Sequence, residues 1–325
     1  MSTALLPLSW LYGAIGGVRR RLYRCGVFDS TRLPVPVIVV GNVVAGGAGK
    51  TPLVLAVVEL LRRHGERPGV VSRGYGRSEE AVVAVEVDAK AAAVGDEPLL
   101  LRRRGGVPVF VGARRVDAAR ALLLAHPEVS VIVADDGLQH LALQRDVEIV
   151  VFDERGLGNG RLLPAGPLRE PMVAGSGRRL VVYNADRPTT PWPGFVSKRR
   201  LGSLTDLEAW WSGALASLEP LTALRDRPVL AVAGIARPER FFALLRDAGL
   251  AARTEALPDH ASFATLPWAG SDEDVIVTEK DAVKLLPGRS LGARVWVAAL
   301  DFAPEPAFEA ALLKALAGAR PPASH

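Results

Sequence analysis

The chain has 325 residues, 49% of them hydrophobic, with 40 Lys+Arg against 35 Asp+Glu and a formal net charge of +5. That length predicts two domains at roughly 100–200 residues each, and the apolar and charged shares exclude a disordered, collagenous or coiled-coil chain. The single cysteine, Cys25, excludes a disulfide framework and a Cys-based zinc module, and it fits a reducing compartment. A small positive excess and 6% aromatics argue against nucleic acid as a partner, and nothing calls for an obligate protein partner.

Residues 1–18 carry no charged side chain; Arg19, Arg20, Arg21 and Arg24 follow, and the first acid is Asp29. A secretory leader has its positive charge before the apolar stretch, the reverse of this order. Pro7, Gly13, Gly16 and Gly17 make the stretch a poor spanning helix, which needs about 20 apolar residues. Leu5, Leu8, Tyr12, Ile15, Val18 and Leu22 recur at helical spacing. Residues 1–28 are therefore read as an amphipathic helix in a membrane interface, with the arginines near anionic lipid. The competing reading is an N-terminal helix docked on its own domain.

After Pro34 short β-branched runs begin. Val35–Val40, Gly69–Ser72, Val107–Val111, Ser130–Ala134, Glu148–Phe152 and Leu180–Tyr183 read as buried strands. Helical segments lie between several of them, at Pro52–His64, Asp96–Arg104 and Arg114–Ala125. Alternation of this kind predicts an α/β fold: a mainly parallel sheet with helices on both faces. This first domain is placed at 29–186. Three prolines and no apolar period mark a linker at 187–197. A smaller α/β domain, 198–325, follows, with strands at Pro228–Ala233, Val275–Thr278 and Val295–Ala299. Its helices are Pro238–Ala248 and Pro306–Ala317, and the tail 320–325 is expected to fray.

The first strand runs into Val44-Ala45-Gly46-Gly47-Ala48-Gly49-Lys50-Thr51. A strand, then Gly-Gly-x-Gly-Lys-Thr, then a helix is what a phosphate cradle needs. Glycines let backbone N–H groups turn inward, Lys50 reaches the β and γ phosphates, and the Thr51 hydroxyl is suited to Mg²⁺. The first glycine of the full P-loop pattern is replaced by Val44. The bland alternative is an ordinary βα turn. A second site is expected where Ser130–Ala134 ends in Asp135-Asp136-Gly137, because an acid at a strand end beside a phosphate loop holds Mg²⁺ directly or through water. Its alternative is a solvated turn.

These residues, with six further segments, carry a resemblance. The segments are Val40-Gly41-Asn42, Ser72-Arg73-Gly74-Tyr75-Gly76, Gly95-Asp96-Glu97-Pro98, Leu163 to Glu170, Pro258-Asp259-His260, and Thr278 to Lys284. In this order the chain resembles the tetraacyldisaccharide 4′-kinases, the lipid A 4′-kinases of Gram-negative bacteria. The resemblance implies a P-loop NTPase-like kinase using ATP and Mg²⁺. It implies transfer of the γ-phosphate to the 4′-hydroxyl of tetraacyldisaccharide 1-phosphate, giving lipid IV(A), at the cytoplasmic face of the inner membrane. By similarity Asp96 accepts the hydroxyl proton, and His260, from the second domain, pairs with it. Glu97 is a helix-capping acid or lies near the Mg²⁺. An anionic acceptor should meet Arg73, Tyr75, Arg114, Gln139, His140 and Arg169. Glu170 and Asn184 match positions near nucleotide or acceptor. Lys280 and Asp281 open a helix, with a capped start and a functional role equally open.

Two rival classes remain. A regulatory GTPase or metal-insertion NTPase reads guanine with Asn/Thr-Lys-x-Asp, and Thr278-Glu279-Lys280-Asp281 has its Lys one place too late. A non-catalytic membrane ATP sensor would not need Asp96 and His260.

Overall fold

The computed structural model describes residues 3–77, 81–172, 178–214, 219–225, 227–288 and 292–319; the tail expected to fray lies outside the described residues. The elements are, in order, α1 (Leu6–Arg24), β1 (Val37–Gly41), α2 (Lys50–Arg63), β2 (Pro68–Ser72), β3 (Val83–Ala84), α3 (Ala91–Val94), α4 (Asp96–Gly105), β4 (Val109–Val111) and α5 (Arg115–Ala125). Then come β5 (Val131–Asp135), β6 (Val147–Asp153), β7 (Arg179–Asn184), β8 (Phe195–Asp206), α6 (Leu207–Trp211), α7 (Glu219–Ala223), β9 (Val229–Ala233), α8 (Pro238–Asp247), β10 (Ala252–Ala256), β11 (Asp274–Thr278), α9 (Glu279–Ala282), β12 (Val295–Pro304) and α10 (Pro306–Ala317).

Among the described residues the strands join one twelve-stranded sheet in the order β10-β9-β11-β12-β8-β7-β6-β1-β5-β2-β4-β3. Strands β1, β2, β5, β9 and β11 are buried along their whole length, which is why they read as unbroken apolar runs. Pairing is parallel except at β3–β4 and β8–β12. Strand β8 is the joint. Phe195 and Val196 pair in parallel with β7, and the rest of the strand runs antiparallel to β12, from Ser197↔Pro304 to Asp206↔Trp296. It thus begins within the stretch read as a linker.

The core lies in layers on both faces. One face of the larger half packs Leu53, Val57 and Leu61 of α2 with Leu99 and Leu101 of α4. The other buries Ala118, Ala119 and Leu122 of α5. The smaller half, around β9 and β11, has its own two layers, one against Phe241 and Phe242 of α8 and one against Phe263 and Trp268. Helix α10 returns to the larger half: Phe308, Leu312 and Leu316 pack in the same layer as α2 and Val147 and Ile149 of β6. Phe308 also meets Phe195 of β8 edge-on, with ring centroids 5.6 Å apart.

This topology brings the carboxyl ends of neighbouring β1, β5 and β2 together, and those of β9 and β11 face them across a cleft. In open α/β sheets that is where ligands bind.

Because Phe308 ties the last helix to the larger half, Phe308→Ala is expected to lower stability by about 3–5 kcal/mol. Urea denaturation followed by circular dichroism checks it; a midpoint unchanged from the parent would mean that α10 is peripheral.

Candidate active site

The phosphate loop leaves β1 at Gly41 and enters α2 at Lys50. Asn42 is fully buried and shapes it. Its Nδ2 donates to the carbonyls of Val44 and, at 3.0 Å, of Gly46, and its Oδ1 accepts from Lys50 Nζ at 3.2 Å. Asn184, at the end of β7, donates to the Ala48 carbonyl at 2.8 Å. Arg155 donates to the Ala45 carbonyl at 2.9 Å. Gly49 sits at φ +91°, and a Cβ there would lie 2.4 Å from both Asn184 Nδ2 and Arg199 Nη2, so glycine is required. Gly47, Gly49, Lys50 and Thr51 line a cavity of about 150 Å³, closed on its other side by Ile235, Arg237 and Lys280 of the smaller half. Leu55, Leu100 and Leu300 give it an apolar end. Val44 does not face it: this residue is buried and bridges Leu168. Asn184, open between nucleotide and acceptor in the sequence, is placed behind the loop.

Asp135 ends β5, and Ser72 Oγ at the end of β2 donates to its Oδ2 at 3.1 Å. Its Oδ1 is buried and has no hydrogen-bond partner among the described residues. Burial pushes this carboxyl up to about 7, with the negative charges of Glu97 and Asp136 adding to it and Lys50 and Ser72 opposing. Asp136 pairs with Lys50 Nζ at 3.4 Å and with Arg169 at 3.3 Å. Among the described residues no three His, Cys, Asp or Glu converge as a protein-only metal cage. Mg²⁺ rarely uses one; it takes one or two carboxylates and completes its shell with phosphate oxygens and water. An orphaned carboxylate oxygen beside a phosphate loop fits that habit.

Across the cleft, Gly95 turns the chain at φ +95° into α4, whose first residues are Asp96 and Glu97. A Cβ on Gly95 would lie 3.2 Å from Gly74 Cα and from the Tyr75 carbonyl oxygen, so the loop after β2 is packed onto this corner. His260, 164 positions away, brings Nδ1 to 3.0 Å from Asp96 Oδ2. The Tyr75 ring lies 5.9 Å from that of His260. Lys280 Nζ reaches Glu97 at 3.2 Å, Asp259 at 3.6 Å and His260 Nε2 at 3.5 Å. Burial pulls the Lys280 ammonium down, but Glu97 and Asp259 outweigh it and hold the group above its ordinary value.

Between these two walls lies a cleft of about 600 Å³, lined by Lys50, Arg73, Asp135, Gln139, His140 and Arg169 among others. His140 Nε2 is buried there without a partner among the described residues. Burial and then the Arg115 and Arg145 charges hold it down at about 4, so its imidazole is neutral at pH 7. Gln139 donates to Glu170 at 2.7 Å, and Glu170 faces α1, with Arg20 at 3.9 Å. Arg114 is the exception. Its side chain is 76% exposed and pairs with Asp117 at 3.4 Å, so it stands outside the cleft; Arg115, the first residue of α5, lines it instead. Sequence reading gave no individual role to Asn42 or Ser72, which it saw only within motifs, and did not single out Arg199. Arg199 lies in β8 with its ordinary pKa lowered to about 10 by burial, against the pull of Asp153.

The guanine-reading alternative fails on geometry. Asp281 is fully buried, its Oδ2 accepting from Thr278 Oγ1 at 2.7 Å and the Gly234 N–H at 3.1 Å, so it is not free to read a base.

Residues 1–317 match the family model described as tetraacyldisaccharide-1-P 4′-kinase. The chain belongs to that family. The tetraacyldisaccharide 4′-kinase of Methylibium petroleiphilum is 59% identical over 98% of this chain and 90% of its own. That of Leptothrix cholodnii is 56% identical over 98% of this chain and 93% of its own. The crystal structure of LpxK from Aquifex aeolicus in complex with ATP superposes with a TM-score of 0.80 at 29% identity, covering 97% of this chain and 99% of that one. This family member is therefore a kinase with the mainly parallel α/β architecture of that relative.

The carboxyl of Asp135 titrates near 7 in the fold against 3.8 for an unstrained aspartate. Between those values the folded chain binds the extra proton, so this group's contribution to stability falls as pH rises from about 4 to 7. Without metal or nucleotide, Asp135→Asn is expected to gain in urea midpoint relative to the parent on going from pH 5 to pH 8. A constant difference across that range would remove the shift.

Proposed function

We propose that this chain transfers the γ-phosphate of ATP to the 4′-hydroxyl of tetraacyldisaccharide 1-phosphate, giving lipid IV(A), with the residue roles that follow. The observation that carries the reading is the Asp96–His260 contact opposite the phosphate loop, at the mouth of a cleft rich in arginine.

The loop N–H groups and the N-terminus of α2 hold the nucleotide phosphates, and Lys50 neutralises charge on the transferring group. Asp135, with Asp136 and Glu97 near it, would hold Mg²⁺ together with the Thr51 hydroxyl, and the ion would offset phosphate charge there. His260 orients the Asp96 carboxylate. The acceptor oxygen forms its bond to the γ-phosphorus while its proton passes to Asp96. The bond from that phosphorus to the β–γ bridging oxygen breaks, and ADP leaves with the electron pair. Arg73, Arg115 and Arg169 face the phosphate of the acceptor, and the neutral His140 offers a hydrogen bond rather than a charge. Arg19, which also lines the cleft, comes from α1.

The membrane reading of α1 draws support from its orientation. Its docked side is small and polar: Ser9 is buried and donates to the Leu162 carbonyl at 2.9 Å, and a Cβ on Gly13 would lie 2.7 Å from Leu162 Cδ1. Leu8, Leu11, Ile15 and Val18, one helical face, stand exposed, with Trp10 beside them at 69% exposure. Among the described residues no helix is long and apolar enough to cross a membrane. An apolar face pointing outward on a docked helix fits partial burial in a lipid surface.

Phosphate transfer from labelled ATP to the tetraacyl disaccharide 1-phosphate tests the activity. Asp96→Ala and His260→Ala are each expected to lower kcat strongly, and the double variant to be little worse than the poorer single one, because residues acting as a unit are non-additive. Losses that multiply would separate the two roles. Ile15→Glu is expected to weaken co-sedimentation with anionic vesicles and leave ATP binding intact. Equal sedimentation of parent and variant would sink the membrane role of this face.

A further inference from the structure

The segment from Thr278 to Lys284 holds more charge than a capped helix start needs. The Lys284 side chain is 7% exposed, and its Nζ lies 3.0 Å from Asp281 Oδ1 and 3.8 Å from Asp96 Oδ2, the oxygen that His260 Nδ1 also approaches. Asp281 is itself fixed from two directions, by Thr278 and by the backbone N–H of Gly234 at the end of β9. Phe263, buried and adjacent, puts its ring centroid 5.2 Å from the Lys284 ammonium. The lysine therefore has little rotameric freedom. A long cation buried on this scale costs solvation that only close carboxylates offset. Asp281 alone would supply one; Asp96, from the other half of the molecule, supplies the second.

We propose that Lys284, anchored by Asp281, is a positioning residue that holds Asp96 Oδ2 from the smaller half, leaving the second carboxylate oxygen directed at the acceptor hydroxyl. The proposal rests on the reading of Asp96 as the base. His260 alone fixes one contact on a side chain that is free to rotate about its own axis; a second contact to the same oxygen, from a different direction, fixes the plane of the carboxylate as well. Since Asp96 and Lys284 sit on opposite walls, their contact forms only when the walls are in register, so it couples the orientation of the base to the assembly of the site. Lys280 stands on the other side of the imidazole, 3.5 Å from Nε2. An ammonium donating there makes Nε2 the acceptor and leaves the ring proton on Nδ1, directed at Asp96. The two lysines, four positions apart, thus bracket the pair from both ends.

The test is a double-mutant cycle on kcat with both KM values measured. Lys284→Met, close in volume and uncharged, is expected to lower kcat on the order of 10²-fold, the scale of a misplaced catalytic group, with KM for ATP and acceptor unchanged. Lys284→Arg, which keeps the charge, is expected to recover most of that loss. In an Asp96→Asn background Lys284→Met is expected to change kcat less than about twofold, because the carboxylate it orients is already gone. Where Lys284→Met alone does not fold, leaving Asp281 buried and unpaired, the pair Asp281→Asn with Lys284→Met removes both charges and is measured in its place against the same backgrounds. An unchanged kcat, a loss of equal size with and without Asp96, or a loss carried wholly in KM would overturn the proposal and leave Lys284 a core ion pair. If Asp96→Asn itself keeps normal turnover, it is the reading of Asp96 as base that fails, a result separate from any on Lys284.

Discussion

Helix α4 is the element on which the site depends. It spans ten residues, about 15 Å at 1.5 Å per residue, and its middle is sealed in the larger half by Leu99 and Leu101. Both its ends are gripped by the smaller half. At the start, Asp96 and Glu97 meet His260, Lys280 and Lys284. At the finish, the Arg103 guanidinium lies 4.9 Å from the ring centroid of Trp210 and 4.1 Å from that of Trp211 and donates to both of their carbonyls. Arg104 pairs with the buried Glu279 and, at 2.7 Å, with Asp301. One rigid rod thus fixes where Asp96 stands relative to His260, because any slide between the halves is resisted at two points a full helix apart.

The same crossing explains a concentration of charge that stability alone would not select. Asp96, Glu97, Asp135 and Asp136 crowd one cleft with Lys50, Arg115, Arg169 and Lys280 among them. Most of these carboxylates have a cation within reach. Asp135 is the one whose contacts, among the described residues, are a hydroxyl and no ion pair, and it is the one that burial and its acidic neighbours drive upward. On the proposed reading, an imbalance localised at one oxygen suits a group kept for binding. On that reading, the unbalanced carboxylate is where Mg²⁺ would arrive.

How much of this is legible in the sequence depends on the signal each residue leaves. Strands buried on both faces, such as Val37–Gly41 and Asp274–Thr278, show as apolar runs, and the glycine-rich loop shows as itself. Strand β8 does not: Lys198, Arg199 and Arg200 break any apolar pattern, since the strand earns its place by a ladder to β12 and by pairing that no local period reports. Strand β10, Ala-Arg-Thr-Glu-Ala, is a sheet edge with only intermediate and exposed positions, so it carries no alternation at all. Arg114 and Arg115 are indistinguishable by type. What separates them is the helix start between them, which throws one side chain to solvent and the other into the cleft. Asn42 and Ser72 act by closing hydrogen bonds to partners that folding alone brings near. The meeting of Asp96 and His260 spans 164 positions, and from sequence it rests on resemblance, not on spacing.

The geometry of α1 bears on how such a site would handle a substrate that is part sugar and part lipid. The helix is not tethered loosely. Ser9 and Tyr12 hydrogen-bond to the carbonyls of Leu162 and Arg169, each at 2.9 Å, and the Arg169 side chain in turn reaches Asp136 in the cleft. Only a few covalent and hydrogen-bonded steps therefore separate the exposed apolar face from the phosphate loop. Gly13 and Gly16 lie on the side facing the groove beside Leu162 and Glu170, where larger residues would fill it. On the proposed reading, a lipid surface meeting Leu11, Ile15 and Val18 sets the height of the cleft above the acyl region. A disaccharide head could then reach Asp96 while its chains stay in the apolar phase, and the hydrophobic cost of lifting those chains into water, about 0.8 kcal/mol for each methylene, would not be incurred. A helix docked by small polar residues and exposed on its apolar side is the arrangement that permits this; the opposite orientation would bury the face that the substrate's own solvent requires.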